Sequence, residues 1–173
     1  YGVTNPCGRL GDDDVAGIAR LAISQSICCV DTAAGYGDAQ ARLRPWASNF
    51  RITTKVSGAV PDAIEGQVQA CLQELGRDSV EACMIHDWDS LTELTRKVAA
   101  VRLETLREKG LIDRAGVSVY DEAALTSAAD HFERLDVAQV PANVLDRRLE
   151  ESSVLAELAA TGTQMQVRSV LLQ

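Results

Sequence analysis

Four residues in the first half of the chain could do acid–base chemistry together: Asp31, Tyr36, Lys55 and His86. Asp31 closes the apolar run Ile27-Cys28-Cys29-Val30 and opens the stretch Asp31-Thr32-Ala33-Ala34-Gly35-Tyr36-Gly37. Lys55 stands near the end of the run RITTKV (51–56), and His86 ends VEACMIH (80–86). A tyrosine titrates near ~10 in water and is a poor proton donor at neutral pH. A neighbouring ammonium favours the phenolate and lowers that value, and a carboxylate paired with the ammonium keeps it charged and aimed. A histidine can polarise or orient a carbonyl oxygen. The set suits proton transfer to an oxygen that becomes an alkoxide, the acid half of a carbonyl reduction. The hydride half cannot come from a side chain and needs a nicotinamide or a flavin.

Each residue also has a purely structural explanation. Asp31 can cap a helix, Tyr36 can occupy a Gly-flanked turn, Lys55 can end a strand in solvent, and His86 can be a core or rim histidine. Ser118 and Gln139, near the ends of later strands, are weak signals on their own, because polar residues end strands routinely. What separates the two readings is whether the elements carrying these residues converge.

The sequence reads as helices and strands in strict alternation. Helices are predicted over 13–25, from 39 to the proline at 45, from Pro61 to a stop at Gly76, and over 91–109, 122–134 and 153–160. Strands are predicted over 27–32, 51–56, 80–86 and 114–120, within 137–144, and over 164–172, after a turn-rich loop at 1–11. Three aspartates at 12–14 suit a helix N-terminus, and Val15, Ile18, Leu21 and Ala22 share one face of that helix. The strands are near-continuous apolar runs, as expected when both faces are covered, and the alternation implies a parallel sheet with helices outside. An open doubly wound sheet and an eight-fold barrel both satisfy this pattern. No G-x-G-x-x-G follows the first strand, where Gly35-Tyr36-Gly37 carries a bulky middle residue. A barrel predicts functional residues at the C-terminal ends of several strands, which is where Asp31, Lys55 and His86 fall.

Composition narrows the partners. Lys plus Arg 17 against Asp plus Glu 25 gives a net charge of −8, which argues against a long basic surface for nucleic acid. No stretch approaches the ~20 apolar residues of a membrane span, and the first residues lack the pattern of a signal peptide, so a cytoplasmic location is expected. The five cysteines, Cys7, Cys28, Cys29, Cys71 and Cys83, form no C-x-x-C. Buried reduced thiols are expected, with Cys28 and Cys29 on opposite faces of a strand, and no metal site. His131 is expected to be a solvated helix residue. Trp46 and Trp88 could each line the mouth of the barrel or pack under a loop, with Trp88 the better mouth candidate because it lies two residues beyond His86.

The motifs D-T-A-A-G-Y-G, T-T-K-V, M-I-H-D, K-G-L-I-D-R-A-G-V-S-V-Y (109–120) and V-A-Q-V-P-A-N-V-L-D-R-R, taken together, resemble the aldo-keto reductase superfamily. The last of them, with V-R-S-V-L-L-Q at 167–173, resembles the bacterial branch linked to surface-polysaccharide or spore-coat sugar biosynthesis. The resemblance implies an α/β (β/α)8 TIM barrel, with residues 1–173 one incomplete barrel domain holding about six of the eight βα units that closure needs. It implies an NADPH-dependent reductase of an aldehyde, ketone or sugar carbonyl, with NADH open, acting on a small molecule and on neither nucleic acid nor membrane. By position it implies Tyr36 as general acid, Asp31 and Lys55 as the pair that lowers its pKa, and His86 as the residue orienting the carbonyl. Ser118 and Gln139 would contact the nicotinamide carboxamide. Three positions depart from the family pattern: Val119 replaces the frequent asparagine, Arg168 the frequent aromatic, and Gln40 the usual acidic residue. Arg168 would then stack on the cofactor or meet a phosphate. Two other readings are a barrel lyase using Lys55 as a Schiff-base nucleophile and a non-catalytic barrel that retains a ligand site.

Overall fold

A computed structural model describes residues 8–171 of the chain. Six helices and six strands alternate: α1 (Asp12–Ser24), β1 (Cys29–Asp31), α2 (Ala39–Leu43), β2 (Arg51–Val56), α3 (Ile64–Leu75), β3 (Val80–Ile85), α4 (Glu93–Glu108), β4 (Ile112–Ser118), α5 (Glu122–His131), β5 (Val137–Pro141), α6 (Ser153–Ala160) and β6 (Gln164–Arg168). Short 3-10 turns lie at Arg44–Asn49, Pro61–Ala63 and Trp88–Ser90. Every strand pairs in parallel with its neighbours in the chain, giving one sheet in the order β1-β2-β3-β4-β5-β6.

The sheet is curled. Gln139 on β5 donates to Asp31 on β1 at 3.1 Å, and Gln166 on β6 donates to Thr53 on β2 at 3.2 Å. Such contacts bring strands four places apart in the sheet order across the concave face, which only a part-closed barrel allows. The twist and tilt of parallel strands supply that curvature.

Alternation along the strands sorts the side chains. On the convex side, Ile52, Val56, Cys83, Ile85, Ala115, Val117, Ala138 and Val140 join buried residues of α3, α4 and α5, including Val68, Leu72, Leu103, Leu106 and Leu125, in one apolar core. Each fully buried Leu or Ile contributes about 1.5–3 kcal/mol relative to exposure. A smaller apolar cluster of Ala82, Met84 and Val137 fills part of the concave side. At Gly116 on β4 the packing is tight, because a Cβ there would lie 1.8 Å from the Val137 carbonyl oxygen.

Element ends differ from the sequence expectation for local reasons. β1 is shorter than 27–32, because Ser26 takes a left-handed φ of 58° and the Ile27 amide donates back to the Ala22 carbonyl, using those residues to end α1. β6 stops at Arg168 rather than reaching 172, since Ser169 turns the chain with φ 60°. β4 begins at Ile112, paired with Val80, and ends before Tyr120. Thr92 caps α4, so that helix starts at Glu93. Phe132 is extended, so α5 ends at His131. The stop at Gly76 matches, in left-handed conformation with φ 65°. Cys7 and the first seven residues of the expected N-terminal loop lie outside the described residues.

Candidate active site

The C-terminal ends of β1, β2 and β3 bring the four candidate acid–base residues together. Lys55, on the concave face of β2 one residue before the strand ends, is 1% exposed. Its Nζ donates to Asp31 Oδ1 at 2.5 Å, to Asp31 Oδ2 at 2.6 Å and to the Thr32 carbonyl at 3.0 Å. The ammonium has three N–H donors, and these three contacts can engage them all. Burial pulls the Lys55 pKa below the ordinary lysine value, and the Asp31 carboxylate opposes part of that fall.

Tyr36 lies in the loop after β1, where its amide donates to the Ala33 carbonyl. Its ring is 5.4 Å from Lys55 Nζ and 5.8 Å from the His86 ring, centroid to centroid, the two rings meeting edge to face at 78°. His86, one residue beyond β3, is anchored through its amide to the Val56 carbonyl. Burial lowers its pKa, the positive charges of Lys55 and Arg168 push the same way, and the carboxylates of Asp87 and Asp31 oppose them. The surroundings of His86 therefore favour the neutral imidazole.

β4, β5 and β6 supply the opposite side. Ser118 and Gln139, both buried, are register partners; Ser118 Oγ donates to Gln139 Oε1 at 3.3 Å, while Gln139 Nε2 donates to Asp31. Arg168 lays its guanidinium 4.0 Å over the Tyr120 ring and donates from Nη2 to the Val119 carbonyl. Its Nε is buried with no acceptor among the described residues. A cavity of about 410 Å³ runs inside the sheet, lined by Asp31, Thr53, Gln139, Gln166 and Arg168 among others.

Three residues not singled out from sequence support this arrangement. Thr53 and Gln166 tie β2 to β6 across the interior. The alternation Gln164, Gln166, Arg168 carries a sequence signal for a polar inner face. Asp87 receives a bond from Ser57 Oγ at 2.6 Å and one from the Gly58 amide at 2.7 Å, locking the loop after β2 to the loop after β3. Its place next to His86 was the available signal.

Other expectations need correction. Trp88 is fully buried, tilted against Phe132 and edge-on to His131, because the turn at Trp88–Ser90 swings it toward α5 rather than over the barrel mouth. The His131 side chain is 9% exposed, its Nε2 2.9 Å from Glu93 and its Nδ1 2.6 Å from the Ser127 carbonyl. Trp46 sits in the turn preceding β2, at the end of that strand remote from Lys55, with Arg20 over its ring. Cys28 and Cys29 are exposed with their sulfurs 3.8 Å apart, since β1 starts only at Cys29 and strand alternation does not govern the pair. Cys71 and Cys83 are buried thiols as expected. Gln40, which stands where the family pattern usually has an acidic residue, is buried and accepts from Thr54 Oγ1 at 3.0 Å. Among the described residues no group of three or more His, Cys, Asp or Glu gathers to hold a metal ion, and no helix is long and apolar enough to cross a membrane.

Comparison with solved structures gives the fold a wider setting. One aldo-keto reductase from Pseudomonas aeruginosa superposes with a TM-score of 0.78 over 98% of this chain and 68% of its own, at 24% identity. Another from the same organism gives 0.77 over 91% of this chain and 66% of its own, at 26% identity. A Bombyx mori aldo-keto reductase solved with NADP gives 0.78 over 97% and 59%, at 20% identity. The chain thus spans roughly two thirds of the length of these relatives, or less. No curated protein sequence matches it. A sequence model of the Aldo/keto reductase family matches residues 2–173, and with six parallel strands curled as part of a (β/α)8 barrel, the chain belongs to the aldo/keto reductase family.

Proposed function

We propose that the chain carries the proton-transfer site of an NADPH-dependent reductase that converts an aldehyde, ketone or sugar carbonyl to the alcohol. Tyr36 is the general acid, giving its phenolic proton to the carbonyl oxygen as that oxygen gains negative charge. The observation that carries this reading is the Asp31–Lys55 ion pair, at 2.5 and 2.6 Å, set against the Tyr36 ring. The ammonium stabilises the phenolate left behind, and Asp31 keeps that ammonium charged despite its burial. His86, edge-on to Tyr36, donates to or orients the same oxygen.

Ser118, Gln139 and Arg168 are the residues suited to hold the nicotinamide end of the cofactor. The Ser118 hydroxyl and the Gln139 amide form a donor–acceptor pair that a primary carboxamide can join, and the buried Arg168 Nε is a donor without a protein partner among the described residues. A reduced nicotinamide, when bound, supplies the hydride. The solution of two relatives with NADP or NADPH supports this choice of cofactor. The Schiff-base alternative is disfavoured, because Lys55 is committed to Asp31 and the Thr32 carbonyl and has no free lone pair while it remains the ammonium.

The test is NADPH oxidation, followed by absorbance, with a panel of simple aldehydes and aldoses. Replacing Tyr36 by Phe keeps the ring and removes the proton, so the rate should fall by roughly 100-fold or more. Equal rates for the two proteins would reject the role.

A further inference from the structure

Farther along the cavity that Asp31, Gln139 and Arg168 also line, Cys29 and Arg51 at the start of β1 and β2, with the neighbouring Cys28, form a second cluster of reactive groups. Cys28 and Cys29 are both exposed, with sulfurs 3.8 Å apart, and Arg51 Nη2 lies 3.6 Å from one and 3.2 Å from the other. Neighbouring side chains on a regular strand point to opposite faces. Here the chain turns into β1 between Ser26 and Cys29, and both thiols gather on one guanidinium instead.

Distances decide what such a pair can bind. A disulfide needs sulfurs at about 2.05 Å and α-carbons normally more than about 4.4 Å apart, whereas adjacent residues are held at about 3.8 Å. Direct oxidation would therefore strain the strand. A single bridging atom with sulfur bonds of about 2.3 Å would see the two thiolates, at their present separation, under an angle of roughly 110°, close to tetrahedral or pyramidal. A metal cation would face the Arg51 charge and finds no third His, Cys, Asp or Glu beside the pair among the described residues. An uncharged electrophile meets no such repulsion, and the same arginine favours the Cys28 thiolate that attacks it.

We propose that Cys28 and Cys29 form a two-thiolate capture site for trivalent arsenicals, uncharged thiophilic electrophiles that accept two sulfurs at one atom. In the reaction with an arsonous acid R–As(OH)2, each sulfur displaces one hydroxyl. Two As–S bonds form and two As–O bonds break. The two thiol protons leave with the two hydroxyls as two waters, and arsenic stays trivalent, so no oxidant or reductant is needed. Contacts with Cys29 and then with Arg51 lower the Cys28 pKa, which readies it as the first attacking sulfur.

The site is tested on the whole reduced chain with one equivalent of phenylarsine oxide, by intact mass and peptide mapping. The expected result is a single adduct on the segment carrying Cys28 and Cys29. Cys28→Ser and Cys29→Ser, each confirmed folded by far-UV circular dichroism, should bind about 100-fold more weakly, since one sulfur removes the chelate. Arg51→Gln should retain the adduct and form it several-fold more slowly. No adduct on the wild type, an adduct mapping to Cys7, Cys71 or Cys83, or full capture by both serine variants would each overturn the proposal. If a serine variant does not fold, mapping on the wild type and the Arg51→Gln rate decide the matter.

Discussion

Asp31 and Lys55 share both carboxylate oxygens and one ammonium, yet their exposures are opposite: Lys55 is 1% exposed and the Asp31 side chain 42%. The pair is therefore anchored from the inside. The buried member depends on its partner for charge compensation, while the outer member has water as an alternative.

This asymmetry predicts unequal costs for removing either charge. Asp31→Asn leaves an uncompensated buried ammonium and should cost about 1–3 kcal/mol, below the range for fully buried pairs because water reaches the Asp31 side. Lys55→Met leaves a hydrated carboxylate and should change stability by less than about 1 kcal/mol, although it removes the ammonium proposed to stabilise the Tyr36 phenolate. Urea midpoints of the two variants check the order, and a larger loss for Lys55→Met would contradict it.

Asp136 predicts the acid limb of stability. Its side chain is 8% exposed; burial alone would raise its pKa, but the Ala115 amide, Arg107 and Arg134 outweigh that and hold it below the ordinary carboxylate value. Its backbone carbonyl also accepts from the Gln164 amide, joining β4, β5 and β6. A carboxyl depressed on folding contributes stability above the unfolded value of 3.8, lost as pH falls through the folded one. Asp136→Asn should cost about 1–3 kcal/mol near neutrality, and denaturant titrations of the two proteins should converge below pH 3.8.

His86 should titrate below its ordinary value of 6.5, as burial and the nearby cations require. Because the unfolded chain then binds more protons, wild-type stability should rise with pH between the folded pKa and 6.5 and level off above. His86→Gln should flatten that rise. Nitrogen–proton NMR correlations of the imidazole read the midpoint directly, and a value above 6.5 would refute the assignment of cause.

Two glycines separate backbone contact from backbone freedom. Gly116→Ala places a methyl 1.8 Å from the Val137 carbonyl and should cost about 3 kcal/mol or more, by parting β4 from β5. Gly66→Ala, inside α3 with open space around it, should stabilise by roughly 0.5–1 kcal/mol. Thermal midpoints moving in opposite directions are the expected outcome.

The residues legible from sequence share one property: each interrupts an apolar run at the end of a strand. Asp31 and Lys55 are at the ends of β1 and β2, and His86 directly follows β3, so local pattern and barrel geometry gave the same answer. Residues whose place depends on a turn escaped that logic. Trp88 is only two positions from His86, but a 3-10 turn carries it into the core between α4 and α5. Cys28 and Cys29 follow a left-handed serine, which no periodicity announces. Contacts between strands four apart, Asp31 with Gln139 and Thr53 with Gln166, depend on curvature, which a one-dimensional pattern does not encode.

The order of the sheet repeats the order of the chain, so the cluster of Asp31, Tyr36, Lys55 and His86 is written in one continuous run, 31–86. A chain synthesised from its N-terminus has the ion pair and both rings available before β4 exists. Ser118, Gln139 and Arg168 come later, on strands added one at a time to a growing edge. In this topology each strand's sheet partner is the strand immediately before it in the chain, reached through one helical crossover, so the site is assembled entirely from neighbours in sequence order.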